Sequence, residues 1–227
     1  MREMGLRGIP SRTRPQAVWG HVEGTSGERG RIDRIAKLQG MKARYEAAWR
    51  FDEMVAASQK NVDLWKSIRE RAKVDESFIH RVEALGGAWH LLVLSEDWCG
   101  DSVSTLPFID ELASRARNLD LRILARDQNL DIMESHLTNG TARSIPVVIV
   151  YDQDFVKHGW WGPRPTVLQH WVQGEGQALE RSDRYKEQRK WYAHDRGHTT
   201  LEEVVSLLEK AGVGTSVTDP PSHTGAA

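Results

Sequence analysis

Trp98-Cys99-Gly100-Asp101-Ser102 is the stretch that decides how this chain is read. Before it, Leu91-Leu92-Val93-Leu94 is an apolar run short enough for a buried strand. After it, apolar residues recur at helical spacing. The only cysteine among 227 residues therefore stands where a strand hands over to a helix. At a helix N-terminus the first backbone N–H groups lack intrahelical partners and the dipole is positive, which favours thiolate over thiol. Such settings lower a cysteine pKa from about 8.5 to the range of about 3.5–7.5. Three positions on, where a dithiol site would place a second cysteine, the chain has Ser102.

Outward from this point the chain divides by pattern. Residues 1–30 mix Gly, Pro, Ser and Arg without periodicity and are expected to form a disordered arm. Its arginines suggest an organelle-targeting peptide, against which Glu3, Glu23 and Glu28 weigh; Met41 is an alternative start. Residues 31–87 form a helical extension, with Tyr45, Trp49, Met54 and then Val62, Trp65, Ile68 near the spacing of an amphipathic face. A second helix there begins at Asn61 or Asp63, and Gly86-Gly87 closes the region.

Next come a strand near Trp89–Leu94, a helix from Cys99 to about Arg117 and a strand at Leu121–Leu124. A short helix over Asp131–Leu137 is broken by Asn139-Gly140. Pro146–Tyr151 is β-branched and apolar, hence a buried strand. Asp152-Gln153-Asp154 turns it into an antiparallel partner around Phe155–Trp160. Helices over Tyr185–Ala193 and Thr200–Lys210 follow, and 212–227 is expected to be a disordered tail. This order predicts an α/β sandwich with a mixed sheet flanked by helices.

Composition excludes several classes. With 39% hydrophobic and 28% charged residues the chain is an ordinary globular protein, and a net charge of −1 gives no global pull toward nucleic acid or membranes. A single cysteine allows no internal disulfide and fits a reducing, cytoplasmic setting. No apolar run reaches membrane-spanning length. Nine tryptophans point to aromatic-filled packing.

Three segments, in order, resemble the thioredoxin family. Trp98-Cys99-Gly100-Asp101-Ser102 is similar to the family's Trp-Cys-Gly-Pro-Cys motif. Leu106-Pro107-Phe108-Ile109-Asp110-Glu111-Leu112-Ala113 resembles its active-site helix, with a kinking proline eight positions after the nucleophile. Arg143-Ser144-Ile145-Pro146 resembles the loop that carries the family's cis-proline. The likeness covers about residues 88–211. More narrowly, Ser95–Asp101 and Trp161–Pro165 resemble a bacterial subgroup sharing Ser-Glu-Asp-Trp-Cys-Gly-Asp and Trp-Gly-Pro-Arg-Pro.

The resemblance implies a thioredoxin fold and a site around Cys99. Cys99 would be the attacking thiolate and Ser102 a hydrogen-bond donor that tunes it. Trp98 would shield the sulfur, Gly100 would admit a substrate backbone, and cis Pro146 would shape a groove where an extended segment pairs near Ile145. Trp161 and Arg164 either line a pocket for a carboxylate or form a rigid turn with a structural ion pair. Asp101 replaces the family's proline and, with Glu96 and Asp97, opposes thiolate formation, so the net shift is not readable from sequence.

Without a second cysteine, the expected activity is monothiol exchange on a protein or low-molecular-weight disulfide, resolved by an external thiol such as glutathione. A non-catalytic thioredoxin-fold module that binds a peptide or protein is the alternative. An iron–sulfur cluster of the monothiol glutaredoxin kind would need further ligands beside one cysteine. Gly100-Asp101-Ser102-Val103 with Asp195 and His198 mimics GDSL hydrolases but lacks the blocks for an oxyanion hole. His194 and His198 are the only histidine pair at i,i+4, and no metal is expected.

Overall fold

The structure is a computed structural model in which residues 26–215 are described. The expected arm and tail fall largely outside that range, at 1–25 and 216–227; helices begin at Ser26 and run to Thr215. By contacts the chain divides into Met1–Ala36 and Lys37–Ala227. The first helix, α1 (Ser26–Ala47), contributes exposed residues such as Arg31 and Ile35 to the former unit; everything below concerns the latter.

Four strands form one mixed sheet in the order β2-β1-β3-β4. The central strand β1 (Trp89–Ser95) runs parallel to β2 (Leu119–Ala125) and antiparallel to β3 (Val147–Tyr151), which pairs antiparallel with β4 (Lys157–Trp161). The apolar runs become the two inner strands because both faces of the sheet are covered. Alternation then divides the side chains. Leu91, Val93, Val148 and Val150 enter one core, and Leu92, Leu94, Val147 and Ile149 enter another that includes Cys99.

The first core is closed by α5 (Gly100–Arg115) and α9 (His198–Thr215), through Val103, Leu106, Ile109, Leu112, Leu201, Val204 and Leu208. Pro107 lies inside α5 and is buried. The expected helical region before β1 comprises the end of α1 and three more helices, α2 (Phe51–Ala57), α3 (Val62–Arg71) and α4 (Glu76–Glu83). They pack into the same core through Phe51, Met54, Trp65, Phe78, Ile79 and Val82. Trp49 departs from the helical face read for it. Its backbone bridges Ile123 of β2 (N–H to O 3.0 Å and O to N–H 2.8 Å), while its side chain is 43% exposed.

Other boundaries shift for local reasons. The helix α6 covers only Leu130–Met133. Phe155, with φ +59, belongs to the turn rather than to β4, and the Asp152 carboxylate accepts from the N–H groups of Asp154 and Val156 there. Between β4 and α9 the chain inserts α7 (Thr166–Gln173) and α8 (Arg181–Asp195). The sequence pattern did not yield α7, which begins directly after Pro163-Arg164-Pro165.

Candidate functional site

Cys99 occupies the N-cap of α5, and its carbonyl accepts from the Val103 N–H at 3.0 Å. Its side chain is turned inward and only 7% exposed. The Sγ–H group donates to the Ile145 carbonyl at 3.3 Å. Ile145 and Pro146 are buried, and the peptide between them is cis. Cys99 and the Ile145-Pro146 pair, whose first residue lies 46 positions on, are thus brought to one point at the end of the inner strands.

Asp101 lies one residue beyond Gly100 in the first turn of α5, and its carboxylate is buried. The Arg164 guanidinium meets one oxygen at 2.6 Å, and the Tyr192 hydroxyl donates to the other at 2.9 Å. Arg164 also donates to Gln169 Oε1 at 2.8 Å. Arg164 therefore makes an internal ion pair, while Trp161, 7% exposed, donates its Nε1–H to Glu203 on α9 at 2.7 Å. Tyr192 was not singled out in the sequence. The available signal was an aromatic with a polar tip on a helix whose other residues are almost all polar.

The segment Trp161–Pro165 is fitted to the cis-proline loop by Gly162. Its φ is +132, and a Cβ there would stand 2.0 Å from the Pro146 carbonyl oxygen. No side chain other than hydrogen fits this approach. The two short motifs flagged in the sequence thus pack together, joined by the Gly162–Pro146 contact and by the Arg164–Asp101 pair.

Electrostatics at the sulfur run against the expectation from helix position alone. Burial pushes the Cys99 thiol up, and the Asp101 carboxylate adds to that rise; hydrogen bonding from Ser102 and from backbone N–H groups pulls it down. The net direction is upward. Glu96 and Asp97 are committed elsewhere. Glu96 accepts from Asp127 N–H at 2.8 Å, and Asp97 accepts from the N–H groups of Gln59 and Lys60 at 2.7 and 2.9 Å. Burial also drives the Asp101 carboxyl upward, opposed by Arg164 and Tyr192, and drives the Tyr192 phenol well above its ordinary value. The Arg164 guanidinium at 2.6 Å and the Tyr192 hydroxyl at 2.9 Å each meet one oxygen of Asp101, the partner set of an ionised carboxylate.

Ser102 is fully buried, and its hydroxyl has no partner in the resting thiol geometry. Gly100 is exposed, with nothing within 4 Å of where a Cβ would stand, so the approach to the α5 N-terminus is open. Trp98 is 49% exposed and lies under the Arg126 guanidinium at 5.1 Å, presenting a ring beside that approach. Asp195 is engaged by Thr199, and His198 packs edge-on against Phe78, so neither serves Ser102 as a hydrolase base. Among the described residues no group of three or more His, Cys, Asp or Glu side chains is placed to hold a metal. Within them no helix is long and apolar enough to cross a membrane.

A sheet of this order, with a helix N-terminal cysteine facing a cis-proline loop, defines a thioredoxin-like protein. The sequence matches the thioredoxin family model over residues 48–189, and the chain belongs to that family. No curated protein matches it. Among solved structures it is similar to PA1234, a protein of unknown function from Pseudomonas aeruginosa, with 21% identity, 74% of this chain and 95% of that one covered, and a TM-score of 0.59. It is equally similar to an HIV epitope-scaffold, with 18% identity, 77% and 96% covered, and a TM-score of 0.59. At these identities the likeness shows the fold alone.

Proposed function

We propose that this protein carries out monothiol thiol–disulfide exchange at Cys99, resolved by an external thiol. The observation that carries the reading is the 3.3 Å contact between Cys99 Sγ and the carbonyl of Ile145, next to cis Pro146. The sulfur and a backbone edge able to pair with an extended segment share one groove.

The Cys99 thiol loses its proton to solvent, and the thiolate attacks one sulfur of a disulfide. A bond to that sulfur forms, the disulfide breaks, and the other sulfur leaves as a thiolate. With Ser102 in the second position, no internal thiol can displace Cys99. An external thiolate such as glutathione attacks the substrate sulfur of the mixed disulfide and releases Cys99 as a thiolate. Ser102, buried and otherwise unpartnered, supplies a hydrogen bond to that thiolate. Trp98 and the open face at Gly100 border the path of approach.

The burial of Cys99 and the upward direction of its titration favour a second reading, a module that binds an extended segment without exchange. The two separate in one assay. Turnover of a glutathione–peptide mixed disulfide in excess glutathione is expected for the wild type and lost in Cys99→Ser. Peptide binding that survives Cys99→Ser, with no turnover in either protein, would replace exchange by binding.

A further inference from the structure

We propose that the buried Asp101 carboxylate, held by Arg164 and Tyr192 two residues from Cys99, makes mixed disulfides at Cys99 slow to form and slow to release. The inference rests on the exchange reading above and specifies how that site is regulated. Three separate elements converge to build the arrangement: the first turn of α5, the segment after β4, and α8, 91 residues from Asp101.

The charges in this cluster decide its behaviour. With Cys99 as a thiol, one carboxylate faces one guanidinium and a neutral phenol. The same balance holds when Cys99 is bound in a mixed disulfide. Only the thiolate leaves a second buried negative charge: Leu92, Leu94, Ile132, Met133 and Ile145, which share a core cluster with Cys99, are apolar, and the Ser102 hydroxyl and backbone N–H groups offer hydrogen bonds but no cation. Glu96 and Asp97, the remaining acidic groups on the adjoining loop, are held by backbone N–H groups of other segments. Buried like charges disfavour joint ionisation. The thiolate is both the attacking group in adduct formation and the leaving group in release, so one carboxylate retards both steps. The upward direction of the Cys99 titration, to which Asp101 contributes, agrees with this arrangement.

The test compares wild type, Asp101→Asn and Glu96→Gln, all full chain, by alkylation rate against pH and by release of a preformed glutathione adduct with excess glutathione. In wild type the alkylation midpoint lies above that of a free thiol, about 8.5. A wild-type midpoint at or below that value overturns the proposal, with no variant needed. Asp101→Asn leaves Arg164 unopposed, so the midpoint falls. Each unit raises the thiolate fraction tenfold, and after the loss of nucleophilicity the rate at neutral pH rises about threefold or more. Adduct release accelerates in the same direction, and Glu96→Gln leaves both unchanged. An unmoved midpoint in folded Asp101→Asn overturns the proposal while leaving exchange standing. Failure of every variant to form the adduct overturns the exchange reading itself, and this inference with it.

Discussion

At the residue scale, the sulfur is governed by what surrounds it more than by its place on the helix. A thiol at a helix N-terminus feels the dipole and free N–H groups, but Cys99 is buried and has a carboxylate two residues away. The sequence displayed the helix-terminal position and Asp101, yet not the inward turn of the side chain, which depends on the Ile145 carbonyl 46 residues away. The buried Ser102 hydroxyl, which pulls the Cys99 titration down, makes a second expectation. Ser102→Ala removes a group that pulls the Cys99 titration down, so the alkylation midpoint moves up and the reaction at neutral pH slows by about a factor of a few. A midpoint that falls in this variant would contradict the role given to the hydroxyl.

At the scale of elements, the strands were legible because β-branched and apolar runs of four to six residues have few other uses in a chain this polar. The Asp101–Arg164 pair was half legible: a structural ion pair was one reading of Arg164, but its partner depends on a loop folding back over the cis-proline segment. Gly162 makes that fold-back testable. Gly162→Ala places a methyl group 2.0 Å from the Pro146 carbonyl oxygen at φ +132, which should cost about 2–4 kcal/mol in urea unfolding. Wild-type stability in this variant would mean that the two loops do not pack as described.

The α3–α5 contact gives a pH signature. Arg69 pairs with Asp110 at 3.1 Å and Glu111 at 2.8 Å, yet burial raises the Asp110 pKa to about 6. Its unfolded value is about 3.9. The folded state therefore holds this proton more tightly, so the contribution to stability is present below about pH 4 and is lost as pH rises through 6. In Asp110→Asn the pH dependence of unfolding between 4 and 6 should flatten. An unchanged slope would assign the dependence to other groups.

For the whole of the unit from Lys37 onward, the helices before the sheet are part of its core. Gly86-Gly87 ends a helical pattern in the sequence, but packing runs across it, because Trp65 and Phe78 enter the same cluster as residues of β1 and α5. Trp65 is fully buried and donates its Nε1–H to the Asp97 carbonyl at 3.1 Å, directly before the Trp98–Cys99 turn. Trp65→Ala is expected to lose about 3–5 kcal/mol and to unfold in one transition with the sheet, followed by urea titration with two probes. Two separated transitions would show the helices to be an independent layer.

The central claim is that Cys99 exchanges with disulfides although the fold holds it as a thiol. Intact-mass analysis of native protein incubated with oxidised glutathione tests it most directly, because the chain has one cysteine. The account predicts a single glutathione adduct that forms slowly, faster as pH rises, and is removed by excess thiol. Absence of any adduct on the native protein across that range, with modification appearing only after denaturation, would contradict it.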